Sequence, residues 1–460
     1  MMMIHDLLVA GATVVTPKGT QQLDVASKDG KISAVLAPGS SPRAKRVVDG
    51  SGLHLFPGLI DTHVHFGFAE PITEYSTETV YAAQGGFTTV LGYLLNNGSY
   101  AEVFERELGF AQERAHVDFG FHFSTATVTH IEELEKYVRD YGVTSFKYFM
   151  NFKADEGRYL GLDGTDDSYL YCLLESAARI GELTIVVHTE NIELVNYFRK
   201  GALTRPMHSL RDWSAVKPAI TEAESCVRAM YFAEHFGARI YIPHISTRMA
   251  LDEVRRWRAR YPNVLVETCP HYLTHDENSP LGGIGKANPP FRTPDDVQAM
   301  WEGLADGSID VVASDHVPRK RSTKEVGIWK ASQGFPGTAT ILPVLLHEGY
   351  HRGRLGLERI ASLLCARPAE IFNLPTKGAL EIGRDADMTL VDLNAVRTVD
   401  PAALGSYSDY SLYEGQSFRG WPVATVVRGE FVMERGRITG RGGYGRYISR
   451  GTRGDSPMKA

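Results

Sequence analysis

Seven short runs constrain the chain most: "TTVLGYLL", "VDFGFHFS", "TSFKYFM", "ELTIVVHT", "ARIYIPHIS", "NVLVETCP" and "IDVVASDH". Most are apolar at successive rather than alternate positions. That is the pattern of strands buried on both faces of a parallel sheet. Helix-forming stretches separate them, among them "YSTETVYAAQGG", "IEELEKYVRDYG", "LYCLLESAARIG", "TEAESCVRAMYFAEHFG" and "MALDEVRRWRARYP". Seven or eight such units over roughly 300 residues predict an α/β fold, a (β/α)8 TIM-like barrel spanning residues 57–376. An open doubly wound sheet is the alternative. It loses ground because no glycine-rich phosphate loop follows any strand.

Both ends of the chain read differently. Residues 1–56 ("DLLVAGATVVTP", "GKISAVLAPG", "KRVVDGSGLHLFPG") and 377–460 ("DADMTLVDLN", "VATVVRGEFVMERGRIT", "GRYISR") are strand-like, punctuated by Gly, Pro and Asp, with a hairpin turn at "RGEFV". A basic tail follows, with Arg435, Arg437, Arg441, Arg446, Arg450, Arg453 and Lys459 against Glu434 and Asp455. It reads as a solvated or subunit-packing segment.

Composition narrows the function classes. Hydrophobic residues at 43% and charged residues at 23% are ordinary for a globular protein. A net charge of −6 is too mild to argue for a nucleic-acid or membrane partner. Cys172, Cys226, Cys269 and Cys365 are scattered, which suits neither a disulfide framework nor a zinc ribbon and points to a reducing cytosol. The opening "MMMIHDLLVAGATVVTP" lacks a basic leader region, and no stretch approaches the ~20 apolar residues that span a bilayer.

The polar residues at strand ends carry the chemistry. "PGLIDTHVHF" ends in His63 and His65, "TSFKYFM" carries Lys147, "TIVVHTEN" ends in His188, "IYIPHIS" in His244 and "IDVVASDH" in Asp315. A lone histidine at a strand end is more often hydrogen-bonded than metal-bound, and an Asp there is usually a turn former. A lysine inside an apolar strand is rarer, because an unpaired buried ammonium is costly. Strand alternation puts His63 and His65 on one face, where both reach one metal ion. His188 and His244 can serve a second ion, and Asp315 can both ligate and take a proton. Lys147 as an ammonium would repel a dication. Carboxylated by CO2 it becomes an anionic carbamate able to bridge two ions ~3.5–4 Å apart. A low pKa favours the neutral amine that reacts.

These motifs, with "ETCPHYL", "NPPFR" and the C-terminal "GWPVATVVRGEFVMERGRITGRGGYGRYISR", resemble the cyclic amidohydrolases of the hydantoinase/dihydropyrimidinase family over nearly the whole chain. The resemblance implies a small β-sandwich domain built from both chain ends. It implies two divalent metal ions, zinc first, with Mn, Fe, Co or Ni also suited to such ligands. His63, His65 and Asp315 would hold the buried ion and His188 and His244 the exposed one, with carboxylated Lys147 bridging. A hydroxide between them would attack an amide carbonyl, and Asp315 would pass its proton to the leaving nitrogen. A small cyclic amide substrate, a cytoplasmic location and a homotetramer or homodimer are implied as well.

The substrate readers depart from the pattern. Phe66, Gly67 and Phe68 follow the histidine pair where dihydroorotases place an arginine. Phe152 stands where hydantoinases carry a tyrosine that donates to the developing oxyanion, and Tyr148 and Asn151 lie nearby. Asn288 precedes "PPFR" where dihydropyrimidinases have serine, and Pro336, beside Gly337, stands where they have an asparagine. Phe66, Phe68, Tyr148, Phe152 and Phe335 could line a bulkier or less polar pocket. Allantoinase, or a hydrolase of another cyclic imide or lactam, is the nearest alternative. A non-catalytic scaffold would have lost ligand residues that this chain keeps. Phosphotriester hydrolysis is a third chemistry such a centre can support.

Overall fold

The computed structural model describes residues 3–67, 70–153, 156–157, 164–202 and 208–451. Its chain packs into two compact units. The first comprises Met1–Leu91, Gly109–Gly120 and Gly337–Ile448, and the second comprises Gly92–Leu108, Phe121–Pro336 and Ser449–Ala460.

Strands from both chain ends join one nine-stranded sheet in the first unit. They are β1 (His5–Thr16), β2 (Gly19–Lys28), β3 (Lys31–Leu36), β4 (Ala44–Asp49) and β5 (His54–Pro57) from the N-terminal part. The C-terminal strands of this sheet, numbered by chain position, are β14 (Met388–Thr398), β15 (Ser417–Val427), β16 (Glu430–Glu434) and β17 (Arg437–Ile438). The order is β17-β16-β15-β14-β5-β1-β2-β3, with β4 also on β1. Leu7, Val9, Val14, Val25, Ile32 and Leu55 share a buried cluster with Met388, Leu390, Val426 and Phe431. The two ends therefore form one core, and neither could bury its apolar face alone. The expected turn between β15 and β16 is at Arg428–Gly429, both at positive φ (45° and 80°), as a two-residue hairpin that matches strand twist requires. "GRYISR" is not a strand: its pairing is an isolated bridge between Tyr447 and Phe119.

The remaining strands are β6 (Leu59–Val64), β7 (Phe87–Leu94), β8 (Asp118–Ser124), β9 (Ser145–Phe149), β10 (Thr184–His188), β11 (Arg239–Ile242), β12 (Val264–Thr268) and β13 (Val311–Val312). They hydrogen-bond in chain order from β6 to β13, and each adjacent pair from β8 to β13 is parallel. This is a nearly closed (β/α)8 barrel. Barrel strands are buried along their whole length, as in β6, β8 and β10. Ile185, Val186 and Val187 are wholly buried, which favours the folded chain by about 1.5–3 kcal/mol for each side chain. Helices end where glycine can adopt a left-handed conformation. Gly142 (φ 63°) closes helix Leu134–Tyr141, and Gly237 (φ 72°) closes helix Ala219–Phe236.

The basic tail is only partly solvated. Arg450 is fully buried. It donates to Ser145 Oγ at 2.7 Å and to the Phe121 carbonyl, while its backbone N–H donates to the Gly142 carbonyl at 2.7 Å. Arg453 and Lys459 lie outside the described residues. Replacing Arg450 by alanine leaves buried acceptors without their donor. Arg450→Ala should lower unfolding stability by roughly 3 kcal/mol, read from the urea midpoint. A shift within 0.5 kcal/mol, the scale of an ordinary surface substitution, would show that the tail contributes nothing there.

Candidate metal centre

In β9, alternation separates Lys147 from its neighbours. Lys147 is 1% exposed, and its Nζ lies over the faces of Tyr93 and Phe149, 5.0 and 5.2 Å from the ring centroids. Burial pushes its pKa down to about 8, while the negative charges of Asp315 and Glu267 pull the other way. A buried lysine in this condition gives up its proton far more readily than an exposed one.

His188 ends β10, and His244 lies two residues past the end of β11. His188 Nδ1 is 3.0 Å from His244 Nε2, with the rings near T-shaped at 4.6 Å. Two ring nitrogens this close can direct lone pairs at one cation. His188 Nε2 faces Glu190 Oε2 at 2.8 Å, which fixes which nitrogen points inward. Burial works against the charged form of Glu190, but the Lys217 ammonium and His188 outweigh it and hold the carboxyl well below the usual range. Lys217 is itself fully buried, 3.2 Å from both Glu190 oxygens and 3.3 Å from Glu156. Burial lowers the pKa of His188, which favours the neutral ring, the form that ligates a metal. The His244 backbone N–H donates to Glu267 at 3.2 Å, and Tyr241 holds that carboxylate at 2.7 Å.

His63 is buried in β6 and His65 is half-buried just beyond it, with ring centroids 5.2 Å apart. One ligand-type atom from each of His63, His65 and Asp315 lies within 4.8 Å of the others. Both His244 (φ 42°) and Asp315 (φ 49°) adopt the left-handed conformation that non-glycine residues rarely take. Backbone strain of this kind persists where the surroundings enforce it, often at functional sites. The donor set of imidazoles, a carboxylate and a buried amine fits divalent metal ions.

Asp118, Asp385 and Asp387 also gather closely enough to hold a metal. Here an ammonium already takes the cation's place. Lys377 Nζ lies 2.5 Å from Asp118, 2.6 Å from Asp387 and 3.1 Å from Asp385, and Arg428 also pairs with Asp118.

The substrate-reader positions are spread over several segments. Tyr148 points to the opposite strand face from Lys147. Its hydroxyl donates to the Asp166 carbonyl at 3.0 Å, and its ring stacks on Tyr169. Phe152 is half-buried, stacked on Phe149 at 4.1 Å and 6.5 Å from the His188 ring. The Asn288 carboxamide N–H donates to Gln333 Oε1 at 2.6 Å. Pro336 and Gly337 are buried, and the Gly337 carbonyl accepts from Thr340. Phe66 packs edge-on against Tyr75, and Phe335 packs edge-on against His271. Phe68 lies outside the described residues. Glu190, Lys217 and Glu267 escaped the sequence reading. Glu190 had a signal, since it follows His188 by two residues in "VVHTEN"; Lys217, in "SAVKPAI", had none.

The amidohydrolase family matches residues 54–432, and the chain belongs to it. It is 36% identical to an allantoinase of Rubrobacter xylanophilus, over 97% of this chain and 98% of that one. It is 32% identical to a D-hydantoinase of Ralstonia pickettii, over 97% and 99%. Among solved structures, an L-hydantoinase (dihydropyrimidinase) from Arthrobacter aurescens superposes with a TM-score of 0.91 at 29% identity, covering 97% of this chain and 100% of the other. A dihydropyrimidinase from Brevibacillus agri gives 0.90 at 30% identity, covering 97% and 98%.

Glu190 orients His188, so Glu190→Gln should weaken divalent-ion affinity by roughly 10–100-fold in chelator competition. Unchanged affinity would remove His188 from the metal-binding set.

Proposed function

We propose that this chain is a metal-dependent hydrolase that opens a cyclic amide or imide ring of the hydantoin and dihydropyrimidine kind. The observation that carries this reading is Lys147. It is a lysine buried in an apolar strand, with a depressed pKa, in a chain that matches hydantoinases over nearly its whole length. His63, His65 and Asp315 would hold one divalent ion and His188 and His244 the other, with Lys147 as a carbamate reaching both. Zinc is the first choice of metal; Mn, Fe, Co and Ni suit the same donors. When bound, the ions supply Lewis acidity toward the amide carbonyl and an activated water.

The chain's own residues do the rest. Asp315 accepts a proton and returns it to the leaving ring nitrogen, yielding a ring-opened N-carbamoyl or similar acid. Backbone groups near Asn288 and Pro336–Gly337 read the imide, since main-chain donors and acceptors do not depend on side-chain identity. Phe152 cannot donate to the developing oxyanion, a contribution worth about 2.7–4 kcal/mol where a donor is present. Tyr148 is not put in its place, because its proton goes to the Asp166 carbonyl.

Allantoin ring opening is the second reading. The 36% identity to an allantoinase favours it, together with Pro336 at its reader position. Cytoplasmic location and a homodimer or homotetramer complete the proposal. Among the described residues no helix is long and apolar enough to cross a membrane.

A substrate panel run after reconstitution with Zn2+ or Mn2+ and bicarbonate tests the function. Hydantoin, dihydrouracil or allantoin should turn over at least about 10-fold faster than a phosphotriester. Two bound ions with no ring opened would contradict the reading. Lys147→Ala should lose roughly 10³-fold in kcat/KM and bind fewer than two ions, with partial rescue by short-chain carboxylic acids. Wild-type turnover with two ions bound would exclude the bridging role.

A further inference from the structure

Lys324 has no role in the chemistry above, yet it is fully buried. Its ammonium faces no carboxylate cage. It donates instead to three backbone carbonyls: Lys286 at 3.0 Å, Ser332 at 2.6 Å and Gly334 at 2.8 Å. Three acceptors match the three N–H groups of an ammonium, and the Phe335 ring lies below it with its centroid at 5.8 Å. Burial, with the positive charges of Arg319 and Lys286, pushes the lysine well below its ordinary pKa.

These carbonyls belong to two separate segments. One runs from Lys286 to Asn288; the other runs from Ser332 to Pro336. Between them the Gly334 N–H donates to the Lys286 carbonyl at 3.1 Å, and Asn288 reaches Gln333 at 2.6 Å. The second segment is also tied to the backbone just past Asp315. The Val317 N–H donates to the Phe335 carbonyl at 3.1 Å, and His316 bridges Phe335. On the opposite side, Trp213 Nε1 holds the Ala287 carbonyl at 2.9 Å, and Lys286 Nζ donates to the Trp329 carbonyl at 2.9 Å. Every tie in this web except the Lys324 ammonium joins its partners one to one. Lys324 contacts both segments, at three points in all.

We infer that Lys324 is a positioning residue for substrate recognition: one buried ammonium fixes the spacing between the segment carrying Asn288 and the segment carrying Pro336. This rests on the reading that these segments border the ring. A main-chain reader selects by position, so a small change in the gap between two backbone segments alters which ring fits. Lys324 reaches neither the metal ligands nor Asp315 by any contact described. Its loss should therefore fall on substrate binding and ring preference, with bound metal retained.

The test is steady-state kinetics of Lys324→Met with hydantoin, dihydrouracil and allantoin, alongside bound-metal content and the folded fraction by circular dichroism. Methionine keeps the length and removes all three donors. KM should rise about 10-fold or more with kcat changed less than about 3-fold. The preference between rings should shift, and metal content should stay at the wild-type value. A lowered Tm with KM and ring preference within twofold of wild type would reduce Lys324 to a stabilising residue and overturn the inference. If Lys324→Met does not fold, Gln333→Leu is measured instead. It cuts a side-chain tie between the same segments and should raise KM; an unchanged KM overturns the inference. Wild-type turnover separates the two levels. If wild type holding two ions opens at least one of the three rings while Lys324→Met keeps its KM and ring preference, the positioning role fails alone. If wild type holding two ions opens none of the rings, the underlying reading fails.

Discussion

Burial on both sheet faces is the constraint from which the rest follows. A strand covered on two sides has no room for polar side chains along its length without a large desolvation cost. Polar groups are therefore pushed to the strand ends, where His188 closes β10 and His244 and Asp315 follow β11 and β13. Lys147 violates the rule by sitting inside β9. Such a violation persists only if something offsets it, and the proposed carboxylation would do so by removing the buried ammonium.

The ligands are supported by less visible residues. Glu190 turns His188, Lys217 neutralises Glu190, and Glu267 receives the backbone of His244. Each buried charge has a partner, so the network costs far less than isolated charges would. The effect is to hold two imidazoles 3.0 Å apart in defined orientations. The proposed metal site depends on rigid placement as well as on the identity of its ligands.

Much of this was legible in the sequence because it rests on local pattern. The apolar runs gave the barrel strands, Gly142 and Gly237 marked helix ends, and "RGEFV" marked a hairpin whose turn residues adopt positive φ. The six ligand-type residues stood out because each interrupts or ends an apolar run. What escaped had no such contrast. Lys217 and Lys324 look like ordinary loop lysines, and only three-dimensional packing reveals them as buried. Arg450, in a stretch of alternating basic residues, reads as solvated, although it anchors the chain's end between β8 and β9 through Phe121 and Ser145. "GRYISR" has strand-like residues but pairs through an isolated bridge, because its backbone donors go to loop and strand-end carbonyls instead.

The most direct test of the central claim is a crystal structure of the protein reconstituted with Zn2+ and bicarbonate. The account predicts two anomalous peaks between the five ligand side chains and density extending beyond Lys147 Nζ for a carbamate. A bare Lys147 ammonium paired with an acid, away from His188 and His244, would contradict it.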